Sequence, residues 1–270
     1  MPYVTTADGI RAYFDFAGVP DRASPSLVMV HGASQDSLSW KHNLEFFSAH
    51  YNVYALDLPG HGKSSLPPRG AYTDSMENAR YVVQVIEALA LGPSVLMGHS
   101  MGGGIVAAAA TLAPQLVRGL VFVDGASVNV VKSSGYNPAI LDMARINPGD
   151  WFEVTFRTLM GSRAAPERAE DIVMDARRCS PYVAFADICA FGGFRMETLL
   201  EHIHCPCIIV EGDEDWSVPP ESARQVFAVL QDRNIPAKYL EWPGVGHFPH
   251  SEQPEVFNAD TLRAMKSLNL

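Results

Sequence analysis

Val95-Leu96-Met97-Gly98-His99-Ser100-Met101-Gly102-Gly103-Gly104 is the stretch whose reading decides the fold. An apolar run ends at Gly98, Ser100 follows two residues on, and a helix-like run covers 105–113. The order reads as buried strand, tight turn and helix. A strand turning directly into a helix brings backbones close together, and only a residue without a Cβ fits there. Gly98-x-Ser100-x-Gly102 has the spacing of a nucleophile elbow, which lifts a hydroxyl clear of the sheet. The first helical N–H groups then point at whatever that hydroxyl attacks. An ordinary serine in a glycine-rich turn is the bland alternative; the strand before and the helix after weigh against it.

Outward from the elbow, the chain alternates. Short apolar runs at 27–30, 53–56, 95–97, 120–123 and 208–210 lack polar alternation, as strands buried on both faces do. Between them lie amphipathic stretches, such as 75–91 with Met76, Ala79, Val82, Val83, Ile86 and Leu89 on one face. Asp8-Gly9 separates two β-rich runs and predicts a hairpin. Strand-helix alternation predicts an α/β fold, a mostly parallel sheet with helices on both faces. It breaks between 126 and 200, a helix-like, aromatic-rich stretch, and resumes with strands at 207 and 238–241 and a final helix near 254–268. The simplest organisation is one α/β unit (1–125 and 201–270) carrying a helical insertion (126–200).

A serine hydroxyl is a weak nucleophile at neutral pH and needs a base, which in turn needs an orienting acid. Gly246-His247 lies in a loop after the last strand run, and Gly212-Asp-Glu-Asp215-Trp-Ser-Val218-Pro219 follows the run at 208–210. The chain order is Ser, Asp, His.

At this point the sequence resembles the α/β-hydrolase superfamily along nearly its whole length. His31-Gly32-Ala33-Ser34 is similar to its oxyanion loop and Asp57-Leu-Pro-Gly-His-Gly-Lys-Ser64 to the turn after its fourth strand. Gly98-His-Ser-Met-Gly102, Gly212-x-x-Asp215-x-x-Val218-Pro219 and Gly246-His247-Phe248 match its elbow, acid loop and histidine loop. The resemblance implies Ser100 as nucleophile, His247 as general base and Asp215 as its orienting acid. It implies the Ala33 and Met101 backbone N–H groups as oxyanion hole, and Ser34, Val218 and Phe248 as candidate substrate contacts. Asp213, within the same acidic cluster, and Asp124, where some members carry the acid, compete with Asp215. A serine at the elbow argues against the aspartate-nucleophile branches, the haloalkane dehalogenases and epoxide hydrolases. The insertion falls where the superfamily carries its cap.

Composition bounds the rest. With 20 Lys+Arg against 30 Asp+Glu, the net charge of −10 excludes a nucleic-acid coat or an electrostatic lipid anchor. No basic-then-apolar segment opens the sequence and no apolar run spans a bilayer, so a cytoplasmic protein is expected. Four cysteines are too few for a disulfide framework. The insertion has 8 basic and 9 acidic residues, so the acidity sits on the sheet unit and the substrate is expected to be neutral or apolar. The insertion contains Trp151, Phe152, Phe156, Tyr182, Phe185, Phe191 and Phe194, about a third of these expected at a cavity. Arg145, Arg157 and Arg195 are candidates for a substrate carboxylate, with surface ion pairs the blander reading. His202-Ile-His204-Cys205 hints at a metal but lacks a third ligand.

The expectation is a serine hydrolase with a small-molecule substrate, needing no metal or cofactor and leaving self-association open. It would cleave a small to medium carboxylic ester, thioester or lactone through an acyl-enzyme. C–C bond hydrolysis, a lyase or cofactor-free oxygenase using the same His-Asp pair, and a non-catalytic receptor are the alternatives.

Overall fold

The computed structural model describes residues 2–18, 24–128 and 146–270. The strands are β1 (Tyr3–Thr5), β2 (Arg11–Ala17), β3 (Ser26–Val30), β4 (Asn52–Leu56), β5 (Ser94–His99), β6 (Val117–Val123), β7 (Cys207–Gly212) and β8 (Ala237–Trp242). They form one sheet in the order β1-β2-β4-β3-β5-β6-β7-β8. β2 pairs antiparallel with β1 and with β4, and every later pairing is parallel.

The unbroken apolar runs follow from two-sided burial. On β3, Leu27 and Met29 enter one core while Val28 and Val30 enter the other. The helices that cover the sheet begin with α1 (Leu44–Ser48), α2 (Ser75–Ala88) and α3 (Met101–Leu112). Between β6 and β7 the described residues hold α4 (Pro148–Leu159), α5 (Pro166–Arg178) and α6 (Pro181–Gly193). Each of these three opens on a proline, whose missing N–H costs nothing at a first helical position. α7 (Pro220–Asp232), α8 (Pro249–Glu252) and α9 (Pro254–Ser267) complete the chain. α2, α3 and α7 pack on one face of the sheet, α1 and α9 on the other. A separate cluster of Phe152, Phe156, Leu159, Ile172, Ala176, Ala184 and Ile188 joins α4–α6 and closes over Phe248.

Two boundaries differ from the sequence reading. α3 starts at Met101, not near 105, because the three glycines are helical. A Cβ on Gly102 would come 2.5 Å from the Val30 carbonyl oxygen, and one on Gly103 2.5 Å from that of Gly125. α2 stops at Ala88, short of 91, where Ala90 takes φ 52.

Candidate active site

Ser100 sits between β5 and α3 with φ 51 and ψ −120, a backbone state a side chain enters only under strain. Surrounding bonds hold it there. Its N–H donates to the Val123 carbonyl at 2.9 Å, and the Ser100 carbonyl accepts the Gly103 N–H at 2.8 Å. Gly98 is required beside it, since a Cβ there would overlap the Gly102 carbonyl.

His247 lies in the loop after β8, with Nε2 2.8 Å from Ser100 Oγ and Nδ1 2.6 Å from Asp215 Oδ2. Both side chains are almost fully buried. Asp215 Oδ1 accepts the Ser217 and Val218 N–H groups at 2.7 and 3.2 Å, which fixes the carboxylate. The His247 backbone is pinned from two sides: its N–H donates to Leu159 O at 2.8 Å, and His99 Nε2–H donates to its carbonyl at 2.7 Å. His99 is held neutral, first by burial and then by the neighbouring His250 and His247.

Glu252, which sequence reading passed over, organises this loop. Its carboxylate accepts N–H groups from Gly161, Gly246 and Phe248 at 2.9 to 3.0 Å. Its backbone partners are invisible in a linear pattern.

The loop after β3 carries Ala33. The amides of Ala33 and Met101 have no protein acceptor among the described residues. Gly32 N–H donates to Gln35 Oε1 at 3.1 Å, and Ser34 N–H donates to Asp187 Oδ2 at 2.7 Å. The same Asp187 oxygen accepts from His61 Nε2 at 2.9 Å. Burial disfavours a charged His61, but the Asp187 carboxylate outweighs it and raises the pKa well above the ordinary value. His31 is the opposite case: burial, then His61, bring it down to about 4. Its Nδ1–H donates to Gly32 O and its Nε2 accepts the Leu58 N–H. These histidines build turns rather than move protons.

Behind the acid loop, Asp124 Oδ1 accepts the Gly212 N–H at 2.9 Å. Asp124, Asp215 and His247 bring ligand-type atoms within 4.8 Å of one another, as do His61, Cys179 and Asp187. In each group a direct His–Asp bond already occupies two of the three. Asp213 is turned to another task, accepting the Gly244 N–H at the surface.

Ser100 borders two cavities. The larger is lined by Ala33, His247, Phe248 and the α4 residues Trp151, Phe152 and Phe156. The smaller is lined by Met101, Gly104, Ser127, Phe194, Met196 and Val218. Phe191 borders both.

Of the candidate substrate contacts, Phe248 faces the first cavity and Val218 the second. Ser34 lines neither; it is buried against the helices, with Oγ 3.5 Å from Ala176 O. Five of the seven aromatics line a cavity, more than a third, because α4 lies directly over Ser100. Tyr182 is exposed, and its hydroxyl accepts the Ala71 N–H. Arg157 pairs with Glu170 and Glu153, and Arg195 bonds the Gly192 and Phe194 carbonyls. Arg145 lies outside the described residues. His250 is fully buried and packed between the tilted rings of Trp40 and His99. No helix among the described residues is long and apolar enough to cross a membrane.

Comparison with known proteins fits this geometry. Over 129 residues the chain is 36% identical to the dihydrolipoyllysine-residue acetyltransferase component of the acetoin cleaving system of Cupriavidus necator, a match covering 48% of this chain but only 33% of that relative. It is 29% identical over 283 residues to the non-heme chloroperoxidase of Streptomyces lividans, covering 99% of this chain and 100% of that one. Among solved structures, Est816, described as an N-acyl homoserine lactone degrading enzyme, superposes with a TM-score of 0.80 at 28% identity, covering 97% of this chain and 99% of that one. The model of the alpha/beta hydrolase family matches residues 27–260. The chain belongs to the α/β hydrolase family.

Proposed function

We propose that this hydrolase cleaves a neutral or apolar carboxylic ester, or a lactone, through an acyl-enzyme on Ser100. The observation that carries the reading is the unbroken relay from Ser100 Oγ through His247 to Asp215, at 2.8 and 2.6 Å. His247 Nε2 takes the hydroxyl proton as Oγ attacks the carbonyl carbon. The Ala33 and Met101 amides receive the oxyanion, and such donors contribute most where water is excluded. His247 then gives the proton to the leaving oxygen, and a water activated by the same imidazole releases the acid.

The helices between β6 and β7 act as a cap (126–200) on a core of 1–125 and 201–270, supplying an apolar roof. The similarity to an enzyme described as lactone-degrading supports the acyl substrate class. The full-length similarity to a chloroperoxidase supports a second reading, in which hydrogen peroxide replaces water on the acyl-enzyme and a peracid leaves. Four free thiols support a reducing, cytoplasmic setting.

The test is a panel of p-nitrophenyl esters with the native enzyme and Ser100→Ala, alongside labelling by a fluorophosphonate. Turnover and labelling are expected in the native enzyme and in neither assay of the variant. Full-rate labelling of the variant would overturn the assignment.

A further inference from the structure

We propose that His61, Cys179 and Asp187 form a binding site for a zinc-type divalent cation at the corner where α5 turns into α6. The ion fastens this corner to the loops that follow β3 and β4. The site is independent of the serine-ester reading.

The three side chains come from distant parts of the chain. His61 lies in the turn after β4, Cys179 directly follows α5, and Asp187 is on α6. Each offers one ligand-type atom, and these atoms lie within 4.8 Å of one another. Imidazole nitrogen, thiolate sulfur and carboxylate oxygen are the donors that zinc takes, at about 2.0–2.3 Å, so two of them on a tetrahedral ion are roughly 3.3–3.6 Å apart. The group therefore closes on an ion through shifts of about 1 Å.

The surroundings are those of a ligand set. A metal-bound imidazole donates its other N–H to a carbonyl or carboxylate, and a ligating carboxylate is itself hydrogen-bonded. His61 Nδ1–H donates to the Pro59 carbonyl at 3.3 Å, which leaves Nε2 for Asp187 and the ion. Asp187 Oδ2 accepts the Ser34 N–H at 2.7 Å. His61 and Asp187 are almost wholly buried, whereas Cys179 is half-buried and gives the ion its way in.

The bond between His61 Nε2 and Asp187 Oδ2, at 2.9 Å, is no obstacle, because the ion takes the place of the proton that it holds. Charge balances as well. The group as it stands is an imidazolium, a carboxylate and a thiol whose Sγ–H faces the Ser180 carbonyl at 3.6 Å, which sum to zero. Zinc displaces two protons, one from His61 Nε2 and one from Cys179 Sγ. It leaves a doubly charged cation with a neutral imidazole, a carboxylate and a thiolate, again zero. No net charge enters the interior, and that removes the main cost of burying an ion.

Asp124, Asp215 and His247 also converge, but that group has no sulfur, is buried throughout, and has both His247 nitrogens engaged. His202, His204 and Cys205, the pairing hinted at in the sequence, do not come within the same distance of one another.

The test uses the native protein, kept reduced and freed of metal with EDTA. Calorimetric titration with zinc chloride should show saturable binding of one ion per chain. At zinc concentrations about 100 times Kd, the Tm should rise by roughly 5 °C or more. Cobalt(II) in place of zinc should give the near-ultraviolet charge-transfer band of a thiolate ligand. Cys179→Ser, a near-isosteric change at a half-buried position, should lose the binding, the Tm shift and the band, yet melt like the native protein without metal. Asp187→Asn, whose amide oxygen still accepts the Ser34 N–H, should weaken zinc binding on the order of tenfold or more. Cys205→Ser should change none of the three readouts. A native protein that binds no zinc, or a band lost with Cys205→Ser in place of Cys179→Ser, would overturn the site. So would zinc that still binds Cys179→Ser and stops its ester turnover, an outcome that places the ion on His247.

Discussion

Glu211 and Asp124 are both fully buried beside the 212–219 loop, and both Glu211 carboxyl oxygens and Asp124 Oδ2 lack a hydrogen-bond partner among the described residues. Unpartnered carboxylates buried near one another repel, which favours the protonated form. Burial, then neighbouring carboxylates including Asp215, raises both groups well above the ordinary carboxyl range. The folded protein therefore binds a proton that the unfolded chain releases above about pH 4. Stability is greatest below that pH and falls as pH rises toward the folded pKa values. Glu211→Gln removes one of these two buried acids. Its Tm relative to the native protein should rise between pH 5 and pH 8, and parallel melting curves across that range would refute the raised pKa values.

Asp215→Asn should keep the fold and lower kcat by roughly 10⁴-fold, through the wrong histidine tautomer. His247→Ala should cost on the order of 10⁶-fold. Steady-state kinetics on one activated ester separates these from the competing acid: a small loss in Asp215→Asn with a large one in Asp124→Asn would move the orienting role to Asp124.

Asp187 joins α6 to the loop after β3 by receiving both Ser34 N–H and His61. Asp187→Ala strands a buried imidazolium and a buried amide, which costs about 3–5 kcal/mol by analogy with broken buried ion pairs. Because the native His61 pKa is raised, this contribution is complete below the unfolded value of about 6.5 and drains as pH rises through the folded one. Urea unfolding at pH 6 should show a larger loss than at pH 9. Turnover should fall as well, since the Ala33 amide follows Ser34.

Gly98→Ala should abolish soluble expression or depress Tm by many degrees. Its Cβ would strike backbone, which has no rotamer to give. By contrast Gly9→Ala, where nothing lies within 4 Å of the added carbon, pays only for its φ of 79. Thermal melts of the two variants side by side test whether close approach or backbone angle dominates.

The elbow, the strand runs and the Ser-Asp-His order were legible because each is local: a few adjacent residues carry the steric or chemical requirement. The sheet's strands read clearly for a related reason, since burial on both faces removes polar residues from 27–30 and 120–123 alike. The supports of the site were not legible. Ser34 and Asp187 are 153 positions apart, and nothing in a loop serine announces that its amide, not its hydroxyl, is the functional part. Glu252 reads as an ordinary helical glutamate until three backbone N–H groups converge on it. Buried polar groups must find partners, but the sequence does not say which.

Ser100 occupies φ 51 and ψ −120. Glycine enters that region freely, whereas a serine there stores about 1–3 kcal/mol. Ser100→Gly should therefore be inactive yet melt higher than the native protein. The serine proposed as nucleophile is also a residue that the architecture would discard. In a lineage no longer selected for turnover, this position should be among the first to drift, and toward glycine.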